Sequence, residues 1–357
     1  MAFFGVVMAN HKPQVCQKIR PWTQIPAPAR AFAGLTFAWI SPSDAPMSTH
    51  PQSGPLAHLG LLRVAGADNI AFLQGQISQV ARRLAAGRPL LAAYSSPQGR
   101  VLAILHLLPH SSGIIAVLPR ELLAPTIERL RKYVLRAKVR IEDAGAQLAV
   151  AGFHGTDALA EAAVAAPGAA QAYLESDGVG VGRVGTETGR YWVIGPPGRL
   201  AAFGPAARAA GLAGAARTER DWRLADIRAG MPQVYAATSE LFVAQMLNLD
   251  LLDGISFSKG CFTGQEIIAR TQHLGRIKRR MMRLALRGRT VAVGDALRLA
   301  DGRGGRITEV ARGDDGCEAL AVLPIDAVGP AEADPGDTPV FTDVSLLPLP
   351  YPLAPPA

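Results

Sequence analysis

Three short apolar runs follow one another closely: LLAAYS at 90–95, RVLAILHLL at 100–108 and GIIAVL at 113–118. The clusters SSPQG and PHSSG separate them. Runs this short, bounded by Gly, Pro and Ser, read as strands of an antiparallel meander. The next segment changes period. Leu123, Ile127, Leu130 and Val134 recur at i, i+4, i+7 and i+11, which predicts an amphipathic helix over 120–137. Strands and helices interspersed in this way define an α+β chain.

The same reading extends outward. HLGLLRVAG predicts a strand, and Asp68 is placed to cap a helix running to Gly87. KVRIED, AQLAVAGF and RYWVIGP read as strands. DALAEAAVAA and ERDWRLADIRAG read as helices, the second closed by Gly230 and Pro232, and Pro205 as a helix break. From about 280 to 350 the text is strand, turn, strand, which predicts a small β-barrel. At 357 residues the chain is long enough for two or three domains.

Several function classes drop out. No run of eighteen apolar residues suits a transmembrane helix. The three cysteines, Cys16, Cys261 and Cys317, form no CxxC, so neither a disulfide framework nor a four-thiolate metal site is expected. A reducing compartment fits. The first 55 residues hold eight of the 27 prolines and a single acid, Asp44. We read this leader as disordered or as a start placed too early, with Met47 opening a conventional lead-in. The net charge is +8, and the stretch between Glu266 and Asp295 supplies as many bases with no acid: Arg270, Arg276, Lys278, Arg279, Arg280, Arg283, Arg287 and Arg289. This run suits an anionic partner, or it is a solvated strand face. Aromatics are absent from RIKRRMMR, which argues against direct RNA binding there.

The octapeptide KGCFTGQE, residues 259–266, carries most of the chemistry. Thr263-Gly264-Gln265-Glu266 fits a capping box, with a hydroxyl at the N-cap and a carboxylate at N3. Cys261 then sits two residues before a helix start. Unpaired amides, the helix dipole and the Lys259 charge would all favour its thiolate. Gly260 and Gly264 would let backbone approach a ligand. Two readings are open for Cys261: a reactive thiol, or a small packed hydrophobe. No Walker loop is present, and no second ligand stands at metal spacing. Trp222, on its short helix, can stack on a flat heterocycle or fill the core, and the helical context favours the core. Asp221, Arg223 and Asp226 read as surface or capping groups, and Cys317 as a turn-flanking residue.

KGCFTGQEIIAR resembles the signature of the YgfZ family, folate-binding proteins related to the T-protein of glycine cleavage, an aminomethyltransferase. FLQGQIS, PQGRVLA, RKYVLRAKVRIED, DIRAGMP, QMLNLDLLDGISFSKGC and LPLPYPL are similar to other family segments, so the likeness covers about 56–352. It implies a three-domain ring: α+β modules over 56–147 and 148–278, the second carrying the signature, and a C-terminal β-barrel over 279–352. It also implies a reduced folate, tetrahydrofolate, in a central cleft. The implied role is assembly or repair of iron–sulfur clusters in [4Fe–4S] client enzymes, including those that methylthiolate tRNA. Cys261 would be the working thiol, with Trp222, Lys259, Gly260, Gly264, Gln265 and Glu266 toward the folate. A second folate-site tryptophan is expected where this chain has Leu59. The alternative activity is a tetrahydrofolate-dependent one-carbon transferase or demethylase. The expected location is the bacterial cytoplasm, or else the mitochondrial matrix.

Overall fold

In the computed structural model, residues 53–168, 172–185, 189–201, 212–273, 275, 277–287, 290–313, 316–326, 340–341 and 343–353 are described. Nearly all of the leader, with Cys16, lies outside them, as do Pro205, Arg276 and Arg289.

The meander forms as its punctuation predicts. Leu90–Ser95, Val101–His110 and Gly113–Pro119 pair in succession; Leu59–Ala65 and Arg140–Asp143 complete a five-stranded antiparallel sheet. Its strands are apolar on both faces because both are covered. Leu62 and Val64 join the cluster on one side, with Leu118, Ile127 and Leu130. Leu59 and Leu61 point the other way, into a cluster shared with the second sheet.

Two helices end earlier than their periodicity suggests. The helix after the meander is Arg120–Arg131, not 120–137. Beyond it, Leu135 takes a left-handed φ of 44° and stands 88% exposed. The cause is a clamp two turns on: Lys138 receives the Asp68 N–H on its carbonyl, and its own N–H donates to Asp68 Oδ2 at 2.7 Å. That bond occupies the carboxylate expected to cap the helix beginning at Asn69. The stretch 69–87 accordingly holds two short helices, Asn69–Gln74 and Arg82–Ala85. Between them Ile77 bridges Tyr94, and Ser78 N–H donates to the Ala93 carbonyl, so the chain joins the sheet edge instead of coiling.

The second sheet runs Gly54–Pro55, Ala149–His154, Arg190–Gly195, Val179–Arg183, Tyr173–Ser176. Val150, Trp192 and Ile194 face the first sheet; Ala151, Phe153, Tyr191 and Val193 face away. The predicted helix around Trp222 is longer than expected, Leu212–Arg228.

The third sheet has six strands in the order Val340–Phe341, Ala296–Leu299, Gly304–Gly313, Gly316–Pro324, Arg279–Leu286, Val344–Leu347. It is a curled half-barrel, with its first and last strands unjoined to each other among the described residues, not a closed barrel. Cys317 is buried in this sheet's core. Ion pairs fasten the sheet to the rest. Glu309 accepts from Tyr235 Oη and pairs with Arg223, Glu318 pairs with Arg228 (and, within the sheet, with Arg283), and Arg280 grips Asp250 through two bonds of 2.7 and 2.9 Å. Among the described residues no helix is long and apolar enough to cross a membrane.

Candidate functional site

The signature follows the second sheet in sequence but is seated on the first. Ser256 N–H donates to the Ser78 carbonyl, and Thr263 N–H to that of Gly75. The helix begins at Gln265, one residue later than the capping box predicts. Gly264 is left-handed (φ 82°), so it stands outside the helix. The reciprocal bond comes from Gln265 rather than Glu266: its Oε1 accepts from Phe262 N–H at 3.3 Å and its Nε2 donates to the Lys259 carbonyl at 3.4 Å. Glu266 is exposed in the first turn, where its charge complements the helix dipole.

Lys259 does not offer its charge to a ligand, as the sequence suggested. It is 8% exposed, and its ammonium donates to the carbonyls of Gln74, Ile77 and Gln79 at 2.8, 2.6 and 2.9 Å. An ammonium has three N–H bonds, and all three are occupied. Burial pushes its pKa down to about 8. Phe262 lies against the same group, 4.7 Å from Nζ to ring centre. The glycines differ too. A Cβ on Gly264 would stand 2.6 Å from the Ser96 carbonyl oxygen and 3.0 Å from Gly99 Cα. Gly264 therefore lets the signature meet the meander's first turn. Gly260 has open space around it and is exposed. Cys261 is free and exposed, which removes the packed-hydrophobe reading. His273, at the far end of the helix, sets its ring edge-on to Phe257.

Trp222 resolves the other way. It is fully buried, with its ring beneath the Arg190 guanidinium (5.1 Å) and edge-on to His154 (5.3 Å). It crosses so close to Gly152 that any side chain there would collide with it. No face of the ring is open for stacking. Leu59, at the other expected tryptophan position, is buried in the same cluster. Cys261 and Trp222 are thus separated, one at the surface and one in the core.

A cavity of about 220 Å³ opens between the first and second sheets instead. His106, Leu107, Arg183, Arg190, Trp192 and Met231 contribute to its wall. The His106 ring meets Trp192 edge-on at 4.7 Å, and burial, with the nearby Arg190 charge, pushes its pKa down to about 3, so it is neutral. Arg190 Nη1 bonds Asp226 at 2.7 Å. Burial raises the Asp226 pKa and the Arg190 charge offsets part of that rise. Asp226 and Arg223 are therefore half-buried members of separate ion pairs, with Arg190 and Glu309 respectively, not free surface or capping groups. The sequence carried a signal for this wall: His106 and Arg190 are polar residues set in otherwise apolar strand runs. Nothing local joins the two, because their runs lie far apart in the chain.

The basic run is partly neutralised. Arg280 is buried on Asp250 and Arg283 is paired with Glu318. Lys278, Arg279 and Arg287 are exposed. Among the described residues no cluster of three or more His, Cys, Asp or Glu could hold a metal ion.

No family model matches the chain. Its architecture is that of the aminomethyltransferase class: it is similar to the glycine cleavage system aminomethyltransferase T of Bartonella henselae, with a TM-score of 0.60 over 77% of this chain and 79% of that one, at 17% identity. Sequence comparison narrows the class. The chain is 32% identical to the tRNA-modifying protein YgfZ of Yersinia pestis (strain Pestoides F) over 357 residues, 97% of this chain and 99% of the relative. It is 32% identical to the protein of the same name from Pectobacterium carotovorum subsp. carotovorum over 251 residues, 70% and 74% respectively. The chain belongs to the YgfZ family.

Proposed function

We propose that this protein is a folate-binding accessory factor for the assembly or repair of iron–sulfur clusters in [4Fe–4S] enzymes, including enzymes that modify tRNA by methylthiolation, with Cys261 as its working thiol. The observation that carries this reading is the contrast between Cys261 and its neighbours. Lys259, Phe262, Gly264 and Gln265 are all held by specific contacts, while Cys261, next to the open Gly260, faces solvent. A loop built so firmly around an exposed nucleophile supports display to a partner.

The 220 Å³ cavity fits the ring end of a tetrahydrofolate. Its apolar wall includes an indole, and Arg190 and Arg183 add polar edges. In this reading Trp192 stands in the wall and Trp222 backs it at 6.4 Å between rings. Bound there, the folate would supply one-carbon chemistry; the protein's part is to enclose the ring and keep water from it. The modules 56–147, 148–278 and 279–352 each carry one sheet, the second extended by Gly54–Pro55, with the signature crossing back onto the first. The partners are client enzymes carrying clusters, reached in the cytoplasm, and an anionic partner at 276–289 would meet Lys278, Arg279 and Arg287.

The test is complementation of a strain lacking the protein, read as methylthiolated tRNA. Cys261→Ala and Cys261→Ser should both fail while unfolding at the wild-type urea midpoint. Full rescue by both variants removes the working-thiol role. The aminomethyltransferase class supports a second reading, turnover of an aminomethyl or N-methyl donor, which predicts methylenetetrahydrofolate formation from such a donor.

A further inference from the structure

The cavity between the sheets does not end blindly. Asp253 lines it and also lines a shallow, solvent-open depression of about 430 Å³, whose wall includes Gln79, Arg83, Ser256, Phe257 and Ser258. Asp253 therefore stands where the two meet. Its backbone is left-handed (φ 53°), an uncommon state for a residue with a side chain. Three contacts hold it there. Gln79 Nε2 donates to its carbonyl at 2.7 Å and to Oδ1 at 3.0 Å, and Arg83 pairs with Oδ2 at 2.8 Å. The Arg83 and Asp253 side chains are 36% and 67% exposed, so the pair sits at the mouth and is open to exchange.

Size decides how much of a ligand the inner cavity can take. Pockets that bury a drug-sized molecule run from about 300 to 1,000 Å³. The inner space falls below that range, so a molecule as long as a folate must leave part of itself outside. The only continuation that shares a wall residue with it, among the cavities described, passes Asp253. Along that path the cation is Arg83 and the acid is Asp253; Ser256 and Ser258 add hydroxyls 3.4 Å apart. Lys259, the other nearby cation, is already occupied by three carbonyls.

We infer that the two cavities form one channel for an elongated ligand with a flat ring and a carboxylate tail, and that Arg83 is the tail-recognition residue. Asp253 is the internal carboxylate that holds Arg83 until the tail displaces it. This rests on the folate reading of the inner cavity and adds the length of ligand the protein selects: a chain of glutamates rather than a single one. A planar guanidinium is suited to such an exchange, because it can donate two N–H bonds to an incoming carboxylate where Asp253 now takes a single contact.

The experiment titrates the full chain with tetrahydropteroate, tetrahydrofolate and its triglutamate, following tryptophan fluorescence. Wild type should bind the triglutamate most tightly. Arg83→Ala should weaken triglutamate binding about fivefold, as expected of a partly exposed ion pair, and leave tetrahydropteroate unchanged. Asp253→Asn tolerates the left-handed backbone, removes the competing charge, and should tighten triglutamate binding about threefold. An Arg83→Ala protein that keeps the wild-type preference for the longer tail overturns the inference, as does weaker tail binding in Asp253→Asn. If none of the three compounds binds wild type, the folate reading itself fails and the inference falls with it.

Discussion

The signature loop and the wall of the inner cavity use polar groups in opposite ways. In the loop every buried polar group finds a partner: the Lys259 ammonium has three carbonyls and the Gln265 amide bonds at both ends. In and behind the wall, Arg190 Nε and Nη2, Trp192 Nε1, Trp222 Nε1 and His154 Nε2 make no hydrogen bond within the protein. Satisfied buried polar groups fix one geometry; unsatisfied ones are costly and call for a reason. The first region is built to stay still. The second keeps polar atoms without a protein partner, an arrangement that suits a site meant to meet a ligand or water.

That contrast can be broken experimentally. The largest effect should come from Lys259→Met, which strands three carbonyls at once. Urea unfolding should show a loss of about 3 kcal/mol or more. A loss under about 1 kcal/mol would mean the loop does not depend on its ammonium. Gly264→Ala comes next, because its Cβ meets backbone at a left-handed φ; a loss of about 2–3 kcal/mol is expected by the same measurement.

The third effect is a pH dependence away from both regions. Burial lifts the Glu309 pKa to about 7, although Arg223 and Tyr235 oppose the shift. The folded state therefore binds this proton more tightly than the unfolded chain does. The stability it contributes is full below pH 4.5 and is lost as pH rises through about 7. Urea midpoints measured from pH 5 to 8 should fall with rising pH on this account, and Glu309→Gln should flatten the curve. The smallest stability change belongs to Cys261→Ala: an exposed thiol should alter stability by no more than about 0.5 kcal/mol, although the tRNA readout is lost.

What the sequence made legible follows from range. The meander was readable because its turns and strands are local, and runs apolar on both faces leave few alternatives. The octapeptide was readable by likeness. The direction of Lys259 was not, because its three acceptors lie 180 to 185 residues away. The helix predicted over 69–87 failed for a related reason: Ile77 and Ser78 had a sheet edge to join, which periodicity does not register. Trp222 is fully buried behind the wall, and His106 and Arg190 look ordinary in the sequence until the two sheets face each other.

The tie from Lys259 back to residues 74–79 also orders events in the life of the chain. During synthesis those acceptors emerge long before the ammonium that needs them. The loop bearing Cys261 can be pinned by that ammonium only when residues 74–79 are already in place. A nascent or clipped chain lacking those acceptors would carry the same cysteine on an unanchored loop.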